Sequence, residues 1–256
     1  MLVVARELRA AFQELFKTRK YRFILISLVL IAAFISVSEL AVAKLFTGII
    51  LDEGTMSQTK LTVLITGFFL FFAATRAGQY LQRVYRIRAF EKAFKASNLK
   101  RKGQRAYWRY PLAIELTNFL SACMQLLVII SFFTYLHWGF GLLNLLVVLF
   151  IFEIYGRLFK DQIDAQRGFV TAKREKNPVK NSLKIGTRIK SGETGILISG
   201  SAMLILLGVL LYLSYSGELS PSNTVVLFFG LRMQNSNLSS MSSGLMRFAR
   251  ALTHSE

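Results

Sequence analysis

Long apolar stretches alternate with strongly basic ones along this chain. Six stretches are apolar enough to predict transmembrane helices, at residues 23–43, 61–75, 119–136, 138–155, 195–213 and 224–240. The second and the sixth are short as purely apolar runs. Both continue past Arg76 and Arg232 with apolar residues every three or four positions, which predicts amphipathic helix beyond them. The pattern therefore predicts an all-α, polytopic membrane protein, with six transmembrane helices in a single domain over residues 1–256.

The composition agrees with a membrane protein. Hydrophobic residues occupy 53% of the 256 positions and include 22 Phe, which is too apolar for a soluble domain of this length. A soluble helical core would also need a polar face on most helices, and several long runs have none. The first stretch is longer than the apolar region of a signal peptide, and no small-x-small cleavage site follows it. It is therefore expected to remain in the protein.

Reactive residues are sparse. Cys123 is the single cysteine and the two histidines lie far apart, so neither a disulfide nor a metal site is predicted. Glu39 and Glu153 lie within apolar stretches, but no nucleophile, metal cluster or cofactor loop accompanies them. The chain is not expected to be an enzyme.

The net charge of +18 is concentrated in alternate connections. Basic residues precede the first stretch, fill residues 76–109 and 157–190, and recur near the C-terminus, whereas the other connections carry only Lys60. The positive-inside rule then predicts that both termini and the two long basic segments are cytoplasmic, at a bacterial inner membrane. Anionic membrane lipids are favoured over nucleic acid as partners, because no compact soluble module carries the charge.

The two basic segments predict cytoplasmic helical hairpins, at about residues 76–117 and 157–190. In the first, the outgoing helix is expected to end near Gly103 and the chain to turn back at Pro111. The tips are candidates for docking a cytosolic partner through aromatic anchors; alternatively, their charges only enforce topology and contact lipid. The candidate docking residues are Lys100, Arg101, Tyr107, Trp108, Lys173, Arg174 and Pro178.

Polar side chains within or beside the apolar stretches are candidates for a translocation path. Such groups are costly in lipid, so they usually pair with each other or face a wet cavity. The candidates are Arg76, Asn118, Gln125, Glu153, Arg232, Asn235 and Ser239, together with Gln234 and Asn237. The alternative is that they pair locally or reach the interface. Small residues from Ser199 to Ala202 and at Gly208 predict close helix packing, within the chain rather than at a dimer seam.

Three segments carry a resemblance to a known family. They are KLFTGIILDEG (residues 44–54), RAGQYLQRVYRIRAFEKAFK (residues 76–95) and LFFGLRMQNSNLSSMSSGLMRFARAL (residues 227–252). With the six-span pattern, they resemble the transmembrane domain of ABC exporters of the six-helix, swapped type, over nearly the whole chain. The resemblance implies pairing with an identical or similar transmembrane chain and docking of the hairpins on ATPase domains. It also implies outward movement of a substrate driven by ATP.

The sequence departs from that family in two ways. No G-x-x-x-x-G-K-[ST] motif occurs, and GETGILISG (residues 192–200) lacks the Lys and hydroxyl that phosphate binding needs. Both hairpins are also shorter than the family's. ATP and magnesium are therefore expected only through a partner ATPase, with no cofactor and no nucleotide-binding domain on this chain.

Three functions remain open from the sequence. The first is the transmembrane subunit of an ABC-type, exporter-like transporter that uses separately encoded ATPase subunits to move a lipid-like, peptide or other amphipathic substrate. The second is a degenerate exporter-like subunit with a structural or regulatory role in a larger complex. The third is an unrelated six-span carrier or channel.

Overall fold

A computed structural model describes residues 2–16, 18–51, 56–96, 104–175 and 179–255. These parts of the chain form helices and contain no strand, which confirms the all-α prediction. The helices are α1 (Leu2–Leu15), α2 (Arg19–Ile50), α3 (Gln58–Ala96), α4 (Gln104–Leu136), α5 (Trp138–Arg174), α6 (Asn181–Tyr215) and α7 (Pro221–Ser255).

Five helices, α2 to α6, are long and apolar enough to cross a membrane. Five of the six predicted apolar stretches thus lie in helices that are candidates for spanning a membrane. α7 is as long as α6, with 35 residues each, but polar residues from Arg232 onwards lower its hydropathy. Its composition alone does not identify it as a sixth span.

The helices are longer than the apolar stretches that predicted them. α3 has 39 residues, about 58 Å at 1.5 Å per residue, whereas the hydrocarbon core of a bilayer is about 30 Å thick. The excess lies on the side where α3 meets α4 and α5 meets α6, which we call the basic end. At the opposite, turn end, His137 alone separates α4 from α5. Residues 216–220 join α6 to α7 there, with Gly217 at a φ of 79°.

The turn predicted at Pro111 is wrong, because Pro111 lies inside α4. Proline removes one backbone hydrogen bond and disfavours the helix, but tertiary packing outweighs this cost here. The next two residues, Leu112 and Ala113, are buried against the core of the bundle.

α1 is an amphipathic helix that the hydropathy pattern does not reveal. Its apolar side, with Val4, Leu8 and Ala11, is buried in the core at the basic end. Arg6 and Arg9 point outwards. Arg6 and Arg9 thus belong to a helix packed against α4 and α5.

α7 lies at the centre of the bundle and packs against α2, α4, α5 and α6. It contributes to both apolar cores. Towards the turn end, Leu227 and Leu231 pack in a cluster with Phe133 of α4. Towards the basic end, Leu245 and Phe248 are buried in a second cluster that includes α1.

α6 lies close against α7 at Gly195. A Cβ there would overlap the hydroxyl of Ser242, which donates a hydrogen bond of 2.8 Å to the carbonyl of Gly192. The Tyr155 hydroxyl of α5 donates to the Leu238 carbonyl at 3.0 Å and so joins a third helix to this contact.

The close contact of α6 with α7 therefore lies nearer the start of α6 than most of the small residues that predicted it. Ser199 is buried as expected. Gly200 and Gly208, however, have open space where a Cβ would be, so the predicted close packing there is wrong. Apolar residues cover all sides of α6. The sequence therefore does not show which of its small residues face a neighbouring helix.

A pair of amides crosses the interior between α5 and α7. Asn144 donates to Gln234 at 2.9 Å and Gln234 donates back at 2.7 Å. Both residues are 0% exposed. Each amide satisfies the other, so Gln234 holds helices together and does not line an open path.

Replacing Gly230 by Ala is expected to lower the thermal unfolding temperature. Its Cβ would overlap the ring of Phe133, which is itself fully buried, and such overpacking costs about 1–3 kcal/mol. Gly208→Ala is the matched control, since that Cβ would meet nothing within 4 Å. Equal unfolding temperatures for the two variants would contradict the central position of α7.

Replacing Asn144 by Leu is expected to destabilise the protein by about 1–3 kcal/mol, because Gln234 would stay buried without a partner. Adding Gln234→Leu should recover part of the loss, since no amide is then left unsatisfied. A thermal unfolding cycle of the two single variants and the double variant measures the coupling. Strictly additive losses would show that the pair does not form.

Candidate functional site

A polar cleft of about 330 Å³ lies between α3, α4 and α7, and we call it the α3–α4–α7 cleft. Each helix contributes polar side chains to it. They include Gln82 and Arg86 of α3, Asn118 and Gln125 of α4, and Asn237 and Ser240 of α7. Apolar contacts are supplied by Phe119, Ala122 and Met241. The lining is therefore amphipathic, with amides and a guanidinium beside a few apolar groups.

The cleft extends from the middle of the bundle to the basic end. Gln125 lies about 17 Å from the turn end of α4, and Asn118 about 27 Å from it. Arg247 also lines the cleft, about 39 Å along α7 from its start at Pro221.

Hydrogen bonds from the cleft residues connect the helices. The Arg86 guanidinium donates to the Asn118 amide oxygen at 2.5 Å, which joins α3 to α4 across the cleft. Gln125 donates to the backbone carbonyl of Ala32 on α2 at 3.4 Å. Ser121 is only 8% exposed and its hydroxyl has no hydrogen-bond partner among the described residues. A buried hydroxyl that lines a cavity is available to a bound molecule or water.

An ion pair closes one side of the cleft near the basic end. Arg247 of α7 donates to both carboxylate oxygens of Glu115 on α4, at 2.6 and 3.2 Å. A Cβ at Gly244 would lie 3.3 Å from that carboxylate, so the glycine leaves room for it. Because Glu115 balances only Arg247, the Arg86 charge leaves the cleft with a positive balance.

The structure brings three of the predicted path residues, Asn118, Gln125 and Asn237, into the cleft. Asn235 and Ser239 lie close in sequence to the α7 residues that line the cleft, and both are half-buried. The Asn235 amide oxygen is buried with no hydrogen-bond partner among the described residues.

Three charged path candidates lie outside the cleft. Arg232 is exposed on α7. Arg76 is exposed on α3, where it donates to Gln79 at 3.3 Å. Glu153 is exposed on α5 and pairs with Arg157 at 3.6 Å. The structure does not bring these residues together.

The docking candidates are described only in part. Lys100, Arg101 and Pro178 lie outside the described residues, as do the side chains of Tyr107, Lys173 and Arg174.

Trp108 is the docking candidate whose side chain is described. It is half-buried and stacks on His254 at 4.7 Å, with the Arg250 guanidinium 5.0 Å from its ring centroid. It therefore joins the start of α4 to the last turns of α7.

Several cleft residues are missing from the sequence-based set. Glu115, Asn118, Ser121 and Gln125 follow a spacing of three or four residues, so a search for polar periodicity within α4 would have found Glu115 and Ser121. No comparable signal separates Arg86 from the other arginines of α3. Its place in the cleft follows only from the packing of α3 beside α4.

The described residues contain no group of three His, Cys, Asp or Glu that could hold a metal ion. The cleft residues are suited to binding polar or anionic groups and include no nucleophile paired with a base. No protein-family model matches the chain, and a comparison with curated proteins finds no match.

Proposed function

We propose that this chain is the transmembrane subunit of an ABC-type, exporter-like transporter that works with separate ATPase subunits. The α3–α4–α7 cleft is the observation that carries the proposal. It is polar, it reaches from the middle of the bundle to the basic end, and it contains a buried hydroxyl without a partner among the described residues. An amphipathic substrate would enter it from the basic end, which faces the cytoplasm if the positive-inside rule holds.

The proposal makes α7 the sixth membrane-spanning helix. α7 runs antiparallel to α6 along most of its length. Near the turn end the Thr224 hydroxyl donates to Ser214 at 3.1 Å, and near the basic end Ser242 contacts Gly192. Since α6 is apolar enough to cross a membrane, an antiparallel neighbour of equal length would cross with it.

The exposed side of α7 supports pairing with a second transmembrane chain, identical or similar. Arg232 lies about 17 Å along α7, near the middle of a bilayer, and its side chain is exposed. A charged residue facing lipid at that depth costs several kcal/mol. Ser236 and Ser240 continue the same exposed side, and Ser240 lines the cleft. A second chain, or the aqueous cavity between two chains, would cover this side.

The contacts within the chain support a bundle without exchanged helices. α5 and α6 pack against each other and against α7 of the same chain, and α5 also packs against α4. The proposed transporter therefore shares the six-helix order of the exporter family, whereas the swapped arrangement receives no support from these contacts.

The start of α6 supports docking of a soluble ATPase. Leu183, Ile185 and Ile189 are 57%, 48% and 52% exposed. Leu183 and Ile185 lie about 48 and 45 Å from the turn end of α6, at or beyond the surface of a bilayer of about 40–45 Å including its headgroups, and Ile189, at about 39 Å, lies at headgroup level. Apolar side chains at that distance would face water unless a soluble partner covers them.

One observation favours the alternative of a structural or regulatory subunit. The last turns of α7 pack back onto the bundle, with Ala251 and Thr253 buried and Trp108 stacked on His254. A helix end held in this way is suited to bracing the bundle. The cleft favours transport, because a purely structural bundle has no need of a polar cavity.

The double substitution Asn118→Leu and Gln125→Leu is expected to reduce ATP turnover several-fold in the complex purified from native membranes. It replaces two polar cleft groups by apolar ones and should leave subunit stoichiometry unchanged. Ser131→Leu, on an exposed position of the same helix, is the control and should retain turnover. A purified complex that contains no ATP-binding subunit would contradict the proposal and support the structural alternative.

Leu183→Asp combined with Ile189→Asp is expected to remove the ATPase from the purified complex, since both charges would lie within an apolar contact. Thr171→Asp, an exposed position near the same end of α5, is the control. Quantitative mass spectrometry of the co-purified subunits measures the loss. Undiminished recovery of the ATPase with the double variant would place its docking surface elsewhere.

A further inference from the structure

A second cavity, of about 310 Å³, lies between the start of α2 and the basic half of α3, and we call it the α2–α3 groove. It is lined by Lys20, Tyr21, Ile24, Tyr85, Arg88, Ala89 and Lys92. None of these residues lines the α3–α4–α7 cleft. α3 thus presents Gln82 and Arg86 to the cleft and Tyr85 and Arg88 to the groove.

The residues that line the groove are suited to binding an anion. Lys20, Arg88 and Lys92 bring three cations to it, and no carboxylate is among the described residues that line it. Two tyrosines form its aromatic walls. The Tyr21 hydroxyl donates to the backbone carbonyl of Lys92 at 3.2 Å, which holds the two helices together beside the cations. Ammonium and guanidinium groups in such a setting bind phosphate oxygens strongly.

The depth of the groove matches that of lipid headgroups. Lys20 lies about 45 Å and Ile24 about 39 Å from the turn end of α2, so the groove spans the headgroup region of a bilayer if α2 crosses it. Tyrosines are enriched at this level, where the ring is apolar and the hydroxyl is hydrated.

Exposed apolar side chains lie beside the groove and beyond it towards the turn end. Phe23, Leu30 and Leu81 are 70%, 54% and 55% exposed, on α2 and α3. The groove closes where α3 touches α2, because a Cβ at Gly78 would lie 3.0 Å from Cγ1 of Ile35. The space between the two helices is therefore cationic at the basic end and ends towards the middle at the contact of Gly78 with Ile35.

We infer that the α2–α3 groove binds an anionic phospholipid. Lys20, Arg88 and Lys92 hold its headgroup phosphate, and its acyl chains lie along the exposed apolar residues of the two helices. A soluble phosphate would use the cations but leave the exposed apolar residues beside the groove uncovered. The site needs only the bilayer, so it does not depend on the proposed transport function.

The test compares phosphatidylglycerol with phosphatidylcholine on the purified full-length chain, by native mass spectrometry of retained lipid and by thermal unfolding. The variant Lys20→Gln/Arg88→Gln/Lys92→Gln removes the three groove charges. The control Arg9→Gln/Arg83→Gln/Lys160→Gln removes three exposed charges outside the groove. Unfolding without added lipid checks that both variants fold.

The unsubstituted chain and the control are expected to prefer phosphatidylglycerol, and the groove variant to bind it about tenfold more weakly. Equal retention of the two lipids by the unsubstituted chain would overturn the inference, as would equal losses in the groove and control variants. Inorganic phosphate alone should not raise the unfolding temperature. A rise equal to that with phosphatidylglycerol would show that the groove takes free phosphate instead of lipid.

Discussion

The rest of the structure depends on the burial of a polar helix, α7, inside a bundle of apolar ones. Its backbone groups are satisfied within the helix, but each buried polar side chain needs its own partner. The amide of Gln234 bonds to Asn144 on α5, and the hydroxyl of Ser242 bonds to the Gly192 carbonyl on α6. These hydrogen bonds, unlike apolar contacts, form in only one rotation and one register of α7. They therefore determine how α5 and α6 are arranged around it.

The cleft lies on the side of α7 where the polar side chains are not all paired with a neighbouring helix. On the sides that face α5 and α6, polar groups are paired and buried. On the side that faces α3 and α4, Asn237, Ser240 and Arg247 line an open space. The same helix thus provides both the internal bracing of the bundle and the polar surface of the cleft. A change in how α7 is held against α5 or α6 would alter the cleft as well.

Much of the fold could be predicted from the sequence, because α2 to α6 each contain a long apolar run. The continuation of α3 and α5 into the basic segments was predictable as well, because apolar residues recur every three or four positions beyond Arg76 and the basic segments have the pattern of helical hairpins. α1 was not predicted, because its apolar residues Val4, Leu8 and Ala11 alternate along the sequence with exposed residues such as Arg6 and Arg9, and only the packed bundle shows that its apolar side is buried. Pro111 shows the opposite case, in which tertiary packing overrides a strong local signal.

The cleft was predictable only where the sequence pattern is local. Asn118 and Gln125 are polar residues in an apolar run, so their cost in lipid marks them without any structure. Gln234 is also a polar residue among apolar ones. Its hydrogen bonds to Asn144 on another helix give it a structural role, and the sequence alone does not show that pairing. The ion pair of Glu115 with Arg247 likewise joins positions far apart in sequence. Which polar residues face each other depends on helix rotation, and periodicity does not determine that.

α3 has a position in the bundle that no other helix shares. It is the most exposed of the five candidate spans and packs mainly along α2, with Gly78 against Ile35. On one side of it lies the cleft, bridged by the Arg86 bond to Asn118, and on the other lies the α2–α3 groove. One face of α3 therefore lines the cleft and another lines the α2–α3 groove. Because both faces belong to the same helix, a substitution that rotates α3 about its axis would alter the lining of both cavities at once.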